Sequence, residues 1–361
     1  KTYDSHPSLK ASCGYVYRTH LGNGNLRHVG DKLVQPELAR LLEGLASGGP
    51  EFFYKGAVAA DIVRAMKQHG GIISEKDLAT YQPAELQPYS STYRDYKLIL
   101  MPPPSSGGIA IAESLNILEP PGFANIAMND VGLATHLQVE ALKHAFADRG
   151  RLPVPQPERF LSKSYARELA DKLNREKTAA VESYGISNLN DSGTSHFSII
   201  DRHGNAVVST ETINTSFGSL AAIDEWGLIL NNEMDDFTVE PGKPNAFGLI
   251  QSAENAPNPG AKPLSSMSPT IVLKDDRVFL LLGASGGPRI ITSVLNVLLG
   301  VLDKGLTLEQ AILAPRPHHQ GQPNEVYFDR EPGKELAAAL EKRGHKLSEK
   351  RKTGIVQAIM R

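Results

Sequence analysis

The sequence feature that most constrains the fold is a β-hairpin pattern that begins directly after a loop. Residues 183–193 are rich in Ser, Asn and Gly and poor in strand formers, as a loop is. Residues 194–201 and 206–214 then read as two strands joined by the turn Arg202-His203-Gly204-Asn205. Thr194 therefore lies where loop becomes strand. We predict that the Gly193–Thr194 junction is a cleavage site and that Thr194 becomes the catalytic residue.

Composition favours a globular protein whose partner is a small molecule. Of 361 residues, 40% are hydrophobic and 22% are charged, which is enough to bury a large core in one or two domains. The formal net charge is -2, with basic and acidic residues interspersed, which argues against a nucleic-acid or anionic-membrane partner. The single cysteine, Cys13, excludes an internal disulfide and a cysteine-only metal site. The apolar-rich stretch 290–302 is too short to span a bilayer.

Apolar periodicity and turn residues predict a mixed helix and strand order. A capping box is expected at Ser74 with Asp77. Helices are predicted from Pro36 to the Gly48-Gly49-Pro50 stop, over 56–68, 109–118, 135–149, 163–176 and 334–343, and from Ile290. Strands are predicted over 93–101, 226–231, 270–273, 278–284 and 355–360.

Thr194 needs help to act as a nucleophile, because a threonine hydroxyl is hard to deprotonate at neutral pH. If the preceding peptide bond is cut, the freed α-amine, with a pKa of about 8, provides a base on the same residue. Thr210 and Thr212 alternate to one face of the paired strand, within reach of Thr194. The competing interpretation is that these residues are ordinary strand formers, which propensity alone favours.

Ser285 is a second candidate nucleophile. It stands in Gly283-Ala284-Ser285-Gly286-Gly287, which matches G-x-S-x-G between a predicted strand and a predicted helix. Asp329 and His345 follow in the order of a hydrolase triad, so a serine hydrolase is a competing hypothesis. Alternatively, Gly286 and Gly287 at the helix start can offer N–H groups to an oxyanion. A simple tight turn is compatible with both.

Other polar groups are suited to binding a ligand, but each also has a structural explanation. The acids of 231–236 suit a metal or an ammonium group, although such clusters are usually solvated loops. Ser265 and Ser266 can bind a carboxylate or cap a turn, and His318-His319 is weak evidence for a metal. Gly107-Gly108 can bind an anion, but close backbone packing is the favoured interpretation. The Pro/Gly/Asn-rich stretch 241–263 is predicted to be a covering loop.

Taken together, these motifs resemble those of the gamma-glutamyltranspeptidase family. From residue 194 onward the resemblance rests on Thr194-Ser195-His196-Phe197-Ser198, Asn214-Thr215-Ser216-Phe217-Gly218, residues 231–237, residues 263–270 and Gly286-Gly287-Pro288-Arg289-Ile290. Upstream it rests on Gln35-Pro36-Glu37-Leu38, Phe53-Tyr54-Lys55-Gly56, residues 77–81, residues 101–108 and Ala147-Asp148-Arg149. The resemblance covers nearly the whole chain from about residue 30, and the combination is highly specific.

The resemblance implies an α+β fold, the four-layer αββα sandwich of N-terminal nucleophile hydrolases. Autocleavage before Thr194 would leave residues 1–193 as the C-terminal part of the large-subunit region. Residues 194–361 would be the small-subunit region, within one intertwined domain. The expected partners are glutathione or a related γ-glutamyl donor and water or an amino-acid or peptide acceptor, with no cofactor, metal or nucleic acid. The family resemblance also suggests a periplasmic, secreted or outer-surface location.

The same resemblance implies a role for each site residue. Thr194 would attack the γ-carbonyl, supported by Thr212, with Gly286 and Gly287 holding the oxyanion. The remaining residues would bind the substrate, its α-amine at Asn214, Glu233 and Asp236 and its α-carboxylate at Ser265 and Ser266. A covering loop is expected near Phe247. In the family an arginine from a segment before the matched region also clamps the α-carboxylate, and the motifs nominate no residue of this chain for that role.

Two alternatives stay open. One is a related N-terminal-threonine acylase acting on glutaryl amides, as cephalosporin-acylase-like relatives do. The other is a catalytically incompetent member that acts as a binding module. The presence of Asn214, Glu233 and Asp236 favours γ-glutamyl chemistry, because a glutaryl group has no ammonium for the acids to bind.

Overall fold

The computed structural model describes residues 14–25, 27–181, 193–240, 242, 243, 245, 249 and 251–361. The helices, in chain order, are α1 (Pro36–Tyr54), α2 (Ala57–His69), α3 (Glu75–Thr80), α4 (Gly107–Leu118), α5 (Phe123–Asn129), α6 (Val131–Arg149), α7 (Lys163–Ala170), α8 (Arg289–Leu302), α9 (Leu308–Leu313) and α10 (Lys334–Lys342). The strands are β1 (Tyr89–Tyr93), β2 (Tyr96–Leu100), β3 (Thr194–Ile200), β4 (Ala206–Thr212), β5 (Ala222–Ile223), β6 (Leu228–Ile229), β7 (Thr270–Lys274), β8 (Arg277–Ser285), β9 (Pro317–His318), β10 (Tyr327–Phe328) and β11 (Ile355–Met360). Within these described ranges, no helix combines the length and apolar character needed to cross a bilayer.

The chain divides into two compact units. The first combines the described residues up to Glu85 with Phe217–Asn232. Its core joins Leu41 of α1 and Ile62 of α2 to Ile223 of β5. The Trp226 indole donates to Asp61 Oδ2 at 2.9 Å, which ties the β5–β6 hairpin to α2. The second unit combines Leu86–Ser216 with Glu233–Arg361, apart from the residues not described.

The second unit is built on a five-stranded antiparallel sheet in the order β1-β2-β7-β8-β11. β8 is apolar and buried along most of its length, as a central strand with both faces covered should be. One face presents Leu98, Val272, Leu280 and Leu282 to the apolar sides of α4, α6 and α8, which together form the main core. Burial of this apolar face stabilises the unit through the hydrophobic effect.

The β3–β4 hairpin packs against the other face of the sheet. It contacts β8, and since β8 is hydrogen-bonded on both edges, the hairpin must lie over its face. Thr194 and His196 alternate inward and are buried. Phe197, Ile199 and Val207 are exposed on the outward face of the hairpin. Within the described residues the layers are therefore helices, sheet and hairpin, with the first residue of β3 at one end of the hairpin layer.

Candidate active site

The register of the hairpin places Thr194 directly opposite Thr212. Their hydroxyl oxygens are 3.0 Å apart, a hydrogen bond between the first residue of β3 and the last of β4. Thr210, the other threonine predicted to reach Thr194, instead pairs with His196 and bonds its Nδ1 at 2.8 Å. The Gly193 carbonyl oxygen accepts from the Ile213 N–H at 3.2 Å and from the Thr212 hydroxyl at 3.4 Å.

Asn214 turns the chain back toward the threonine pair. Its φ of 75° is left-handed, a conformation that costs energy for a residue with a side chain but that Asn tolerates better than most. Its backbone N–H donates to Thr212 Oγ1 at 2.7 Å. The Thr212 hydroxyl oxygen thus accepts from the Asn214 N–H. The Thr212 hydroxyl proton can then be donated to the Gly193 carbonyl, and the Thr194 hydroxyl can donate to the Thr212 oxygen. This order leaves the Thr194 oxygen with lone pairs that are not used in the network.

Glu233 and Asp236 occupy one 3₁₀ turn, Glu233–Asp236. Residues three apart lie on the same side of such a turn, so these two carboxylates share a side while Met234 and Asp235 are exposed. The turn is held by Asn255, whose side-chain amide donates to the Asp236 carbonyl at 2.9 Å and whose own carbonyl accepts from the Thr238 N–H at 2.8 Å. The acidic cluster is therefore a structured turn.

Ser265 and Ser266 lie in a loop that is seated against the start of α4. The backbone N–H and the hydroxyl of Ser106 both donate to the Ser265 carbonyl, at 2.9 Å and 2.6 Å. A Cβ at Gly107 would lie 2.1 Å from Ser268 Oγ, which confirms that this glycine serves close packing. The serine loop is thus positioned by the proline- and glycine-rich turn that precedes α4.

One small pocket collects the predicted site residues. Its lining includes Thr194, Thr212, Asn214, Glu233, Asp236, Ser265, Ser266 and Gly287, with apolar walls from Leu249, Leu264, Met267, Pro288 and Ile290. Gly286 precedes Gly287 in the turn from β8 into α8 but is not part of the lining, and both have positive φ. The covering loop expected near Phe247 lies outside the described residues.

The pocket lining also includes Arg149, for which the motifs predicted no role. It is the last residue of α6, is 2% exposed, and donates from Nη2 to Ser266 Oγ at 2.9 Å. Burial lowers the pKa of Arg149 to about 10, and the charge of Asp236 acts in the opposite direction. The guanidinium is therefore still positively charged at neutral pH.

The rival serine triad is not assembled. The Asp329 carboxylate pairs with Arg316 at 2.7 Å and accepts from Thr353, while the His345 ring bonds His136 at 2.7 Å. Neither side chain bonds the other or Ser285 in the described structure. His196, the histidine nearest Thr194 along β3, bonds Thr210 and Ser198, and burial lowers its pKa to about 4. It is neutral at physiological pH and is already engaged on both nitrogens.

His136, His318, His319 and His345 have structural partners. His318 bonds Thr292 and Gln320, and His319 bonds Asn324 and the Gly321 N–H. The ring and carboxylate atoms of His136, Glu140 and His345 lie within 4.8 Å of one another. Glu140, however, already accepts from Lys143 at 2.7 Å, from Thr178 at 2.6 Å and from the Ala179 N–H at 3.0 Å. This buried network anchors the segment that follows α7.

Comparison with known proteins identifies the family to which this chain belongs. The family model described as Gamma-glutamyltranspeptidase matches residues 4–361. The chain belongs to the gamma-glutamyltranspeptidase family. One relative is the glutathione hydrolase proenzyme of Escherichia coli (strain K12), which is 41% identical over 345 residues. The match covers 92% of this chain and 58% of the relative. Glutathione hydrolase 2 of Arabidopsis thaliana is 40% identical over 349 residues, 91% of this chain and 60% of the relative.

A solved structure, the cephalosporin acylase from Bacillus halodurans, superposes with a TM-score of 0.86 at 26% identity and covers 100% of this chain and 65% of that one. The α+β sandwich of the N-terminal nucleophile hydrolase type, expected from the family resemblance, is confirmed. This gamma-glutamyltranspeptidase family chain spans less than two thirds of the lengths of the relatives described above.

Proposed function

We propose that this chain cleaves itself between Gly193 and Thr194 and then catalyses γ-glutamyl transfer and hydrolysis with Thr194 as the nucleophile. The observation that carries the proposal is the single pocket. A hydrogen-bonded threonine pair at 3.0 Å shares it with two carboxylates suited to an ammonium group and two serines suited to a carboxylate. Membership of the family, and relatives named glutathione hydrolase, support the same reaction class.

Self-cleavage begins with Thr194 Oγ1 attacking the Gly193 carbonyl carbon. The carbonyl oxygen already accepts from the Ile213 N–H and the Thr212 hydroxyl, so charge that develops on it is stabilised. Collapse of the intermediate breaks the Gly193–Thr194 C–N bond, moves the hydroxyl proton of Thr194 to the departing nitrogen and leaves an ester on Thr194. Water then hydrolyses the ester, and the products are a carboxylate at Gly193 and a free α-amine and hydroxyl on Thr194.

In the mature enzyme the α-amine of Thr194 accepts the hydroxyl proton as the oxygen attacks the γ-carbonyl of glutathione or a related amide. The leaving amine takes the proton, and water or an amino-acid or peptide acceptor resolves the γ-glutamyl ester. Gly286 and Gly287 hold the oxyanion, and Asn214, Glu233 and Asp236 bind the α-amine. Ser265 and Ser266 bind the α-carboxylate. The working protein is a heterodimer of the region ending at Gly193 and the region beginning at Thr194, and it requires no metal or cofactor.

Denaturing electrophoresis tests the cleavage step. The folded chain should yield fragments spanning 1–193 and 194–361, and Thr194→Ala should remain uncut. A single uncut band for the native chain, unchanged by Thr194→Ala, would refute the threonine mechanism. Combined with no turnover of any γ-glutamyl amide, it would favour a catalytically incompetent binding member.

A related acylase is the second candidate, because the cephalosporin acylase superposes with a TM-score of 0.86. Glu233 and Asp236 argue against a glutaryl substrate, since two carboxylates lining the pocket would repel it. Chromophore release from a γ-glutamyl anilide and from its glutaryl counterpart separates the two candidates. Faster release from the glutaryl compound would overturn γ-glutamyl specificity, and Glu233→Ala should raise the γ-glutamyl concentration needed for half-maximal rate.

A further inference from the structure

The turn from β8 into α8 contains an arginine for which the motifs predicted no role, Arg289. It is the first residue of α8 and is buried, and it is not part of the pocket lining. Its Nε donates to the Gly286 carbonyl oxygen at 3.0 Å, and its backbone N–H donates to the same oxygen at 3.1 Å. Arg289 therefore engages both lone pairs of this carbonyl oxygen.

The Gly286 carbonyl belongs to the peptide unit that also carries the Gly287 N–H. The peptide bond between the two glycines is trans, so its C=O and N–H point in opposite directions. Because Arg289 holds the carbonyl oxygen on one side, the N–H points to the other side. Gly287 lines the pocket and Arg289 does not, which agrees with an N–H that is directed into the pocket.

The Gly287 N–H is also available to a ligand. At the start of α8 the N–H groups of Arg289 and Ile290 donate to the Gly286 and Gly287 carbonyl oxygens, and Pro288 has no N–H. Within the described residues nothing accepts a hydrogen bond from the Gly287 N–H. The 14-residue helix that follows adds the positive end of its dipole at this point.

A peptide unit between two glycines needs an anchor if its N–H is to stay in one direction. Gly286 and Gly287 have φ values of 132° and 53°, and glycine adopts positive and negative φ about equally readily, so this peptide plane can rotate at little steric cost. A half-turn would bring the carbonyl oxygen to the pocket in place of the N–H, and its partial negative charge would repel an oxyanion. The buried guanidinium opposes this rotation, and its charge polarises the peptide so that the N–H becomes a stronger donor.

We propose that Arg289 is a positioning residue for γ-glutamyl transfer, which fixes the Gly286–Gly287 peptide so that the Gly287 N–H donates to the oxyanion. This inference rests on the proposed function, since that oxyanion forms only when Thr194 attacks the γ-carbonyl of the substrate. Arg289 itself does not touch the reacting atoms and acts through the peptide unit that it holds.

Self-cleavage provides an internal comparison, because the Gly193 carbonyl oxygen accepts from the Ile213 N–H and the Thr212 hydroxyl and does not need the Gly287 N–H. Arg289→Met should therefore release the two fragments at the native rate on denaturing gels. The kcat for a γ-glutamyl anilide should fall by about tenfold or more, toward the roughly 10²-fold loss of a whole oxyanion donor, with KM little changed. Equal slowing of both reactions would show a general structural defect and overturn the inference.

Arg289→Gln is the conservative variant, because its Nε2 lies as many bonds along the side chain as the arginine Nε and can still donate to the Gly286 carbonyl. It should recover most of the kcat that Arg289→Met loses. Arg94→Met is the matched control, since Arg94 is part-buried and its Nη1 likewise donates to a backbone carbonyl, that of Glu119, at 2.6 Å. It should lower thermal stability and leave kcat at the native value.

A transition-state analogue separates positioning from ground-state binding. In the boronic acid that replaces the γ-carboxyl group of L-glutamate, boron accepts a lone pair from Thr194 Oγ1 while the hydroxyl proton passes to the α-amine. The tetrahedral adduct places a boron-bound oxygen where the oxyanion forms. Arg289→Met should bind this boronate roughly tenfold more weakly than the native chain and bind L-glutamate equally well. Equal weakening of both ligands, or of neither, contradicts the proposal.

A measurement on the native chain covers the case in which the Arg289 variants do not fold. Glycine labelled with ¹³C at the carbonyl and with ¹⁵N gives a carbonyl-to-N–H correlation only for the four Gly-Gly pairs, 48–49, 70–71, 107–108 and 286–287. Once assigned, the Gly287 signal should shift when the boronate binds, and a signal unmoved by the boronate overturns the inference. A shift without turnover of any γ-glutamyl amide would sink the proposed function alone, whereas native kcat in Arg289→Met would sink the inference alone.

Discussion

At the scale of single residues, the Thr212 hydroxyl joins the proposed nucleophile to the carbonyl it attacks. It is 3.0 Å from Thr194 Oγ1 and 3.4 Å from the Gly193 oxygen. Thr212→Val keeps the shape but removes both bonds, so self-cleavage should slow by about 10²-fold, as for loss of one oxyanion donor. The rate is measured as fragment appearance on denaturing gels. Thr210→Val, two register pairs away on the same face, should cleave at close to the native rate, and equal slowing of both variants would point to a disturbed hairpin instead.

Glu113 makes stability depend on pH. It is fully buried in α4, where burial first and the Asp148 carboxylate second raise its pKa well above the usual value, with the Arg151 charge opposing. Because the native pKa is raised, the folded state still binds a proton at pH values where the unfolded state has released it. The contribution of this proton to the free energy of unfolding is fully present below the unfolded pKa and is lost as the pH rises from there through the folded pKa. Glu113→Gln should therefore increase the free energy of unfolding at pH 8 by roughly 1–3 kcal/mol.

Denaturant unfolding at pH 5 and pH 8 checks this prediction. The native chain should lose stability between the two values, and Glu113→Gln should lose less. Glu309→Gln, an exposed residue in the first turn of α9, should keep the native difference. A larger loss in Glu113→Gln than in the native chain would contradict a proton held at Glu113.

A residue's role could be predicted from sequence when it depends on local chemistry, but not when it depends on tertiary contacts. Thr194, Glu233 and Ser266 were proposed because their chemistry is local. Alternation alone could not choose between Thr210 and Thr212, since both face the same way; the family resemblance named Thr212, and the strand register places Thr212 opposite Thr194. Arg149 was missed although its signal was present, a charge continuing the apolar spacing of α6; only the tertiary fold shows that this face meets the serine loop.

At the scale of elements, hairpin and sheet are packed so closely that one position must be glycine. A Cβ at Gly283 of β8 would lie 2.3 Å from the His196 ring on β3. The first glycine of the G-x-S-x-G match is thus explained by packing. Gly283→Ala should destabilise the fold by on the order of 1–3 kcal/mol, the usual cost of overpacking. Thermal unfolding measures the loss, and His196→Ala in the same chain should recover part of it; an additive double variant would show that the two residues are not coupled.

Element predictions succeeded where the signal is local. The Ser74–Asp77 capping box is confirmed, and so is the strand at 355–360. The strand predicted over 93–101 is observed as β2 (Tyr96–Leu100), but its predicted start was wrong: Arg94 has a φ of 53°, and a tight turn there separates β1 from β2. The helix predicted to stop at Gly49-Pro50 resumes after a kink and runs to Tyr54, and the helix predicted over 163–176 ends at Ala170. These boundaries depend on turn conformation and packing, which periodicity does not report.

At the scale of the whole molecule, each compact unit takes residues from both sides of the Gly193–Thr194 bond. In the larger unit β2 lies before the bond and pairs along its full length with β7, which lies after it, while α4 packs against α8. In the smaller unit Asp61 bonds Trp226. Cutting one bond at the edge of a strand removes none of these contacts, so we predict that fragments 1–193 and 194–361 stay associated without denaturant.

Gel filtration of the cleaved protein should give one peak containing both fragments, at the elution volume of uncut Thr194→Ala. In denaturant the fragments should separate, because chain connectivity no longer holds them once the sheet is lost. Two peaks under native conditions would mean that the β2–β7 pairing and the shared core are too weak to outlast cleavage. The pocket could not then work as proposed, since Arg149 comes from the first fragment and Thr194, Glu233 and Ser266 come from the second.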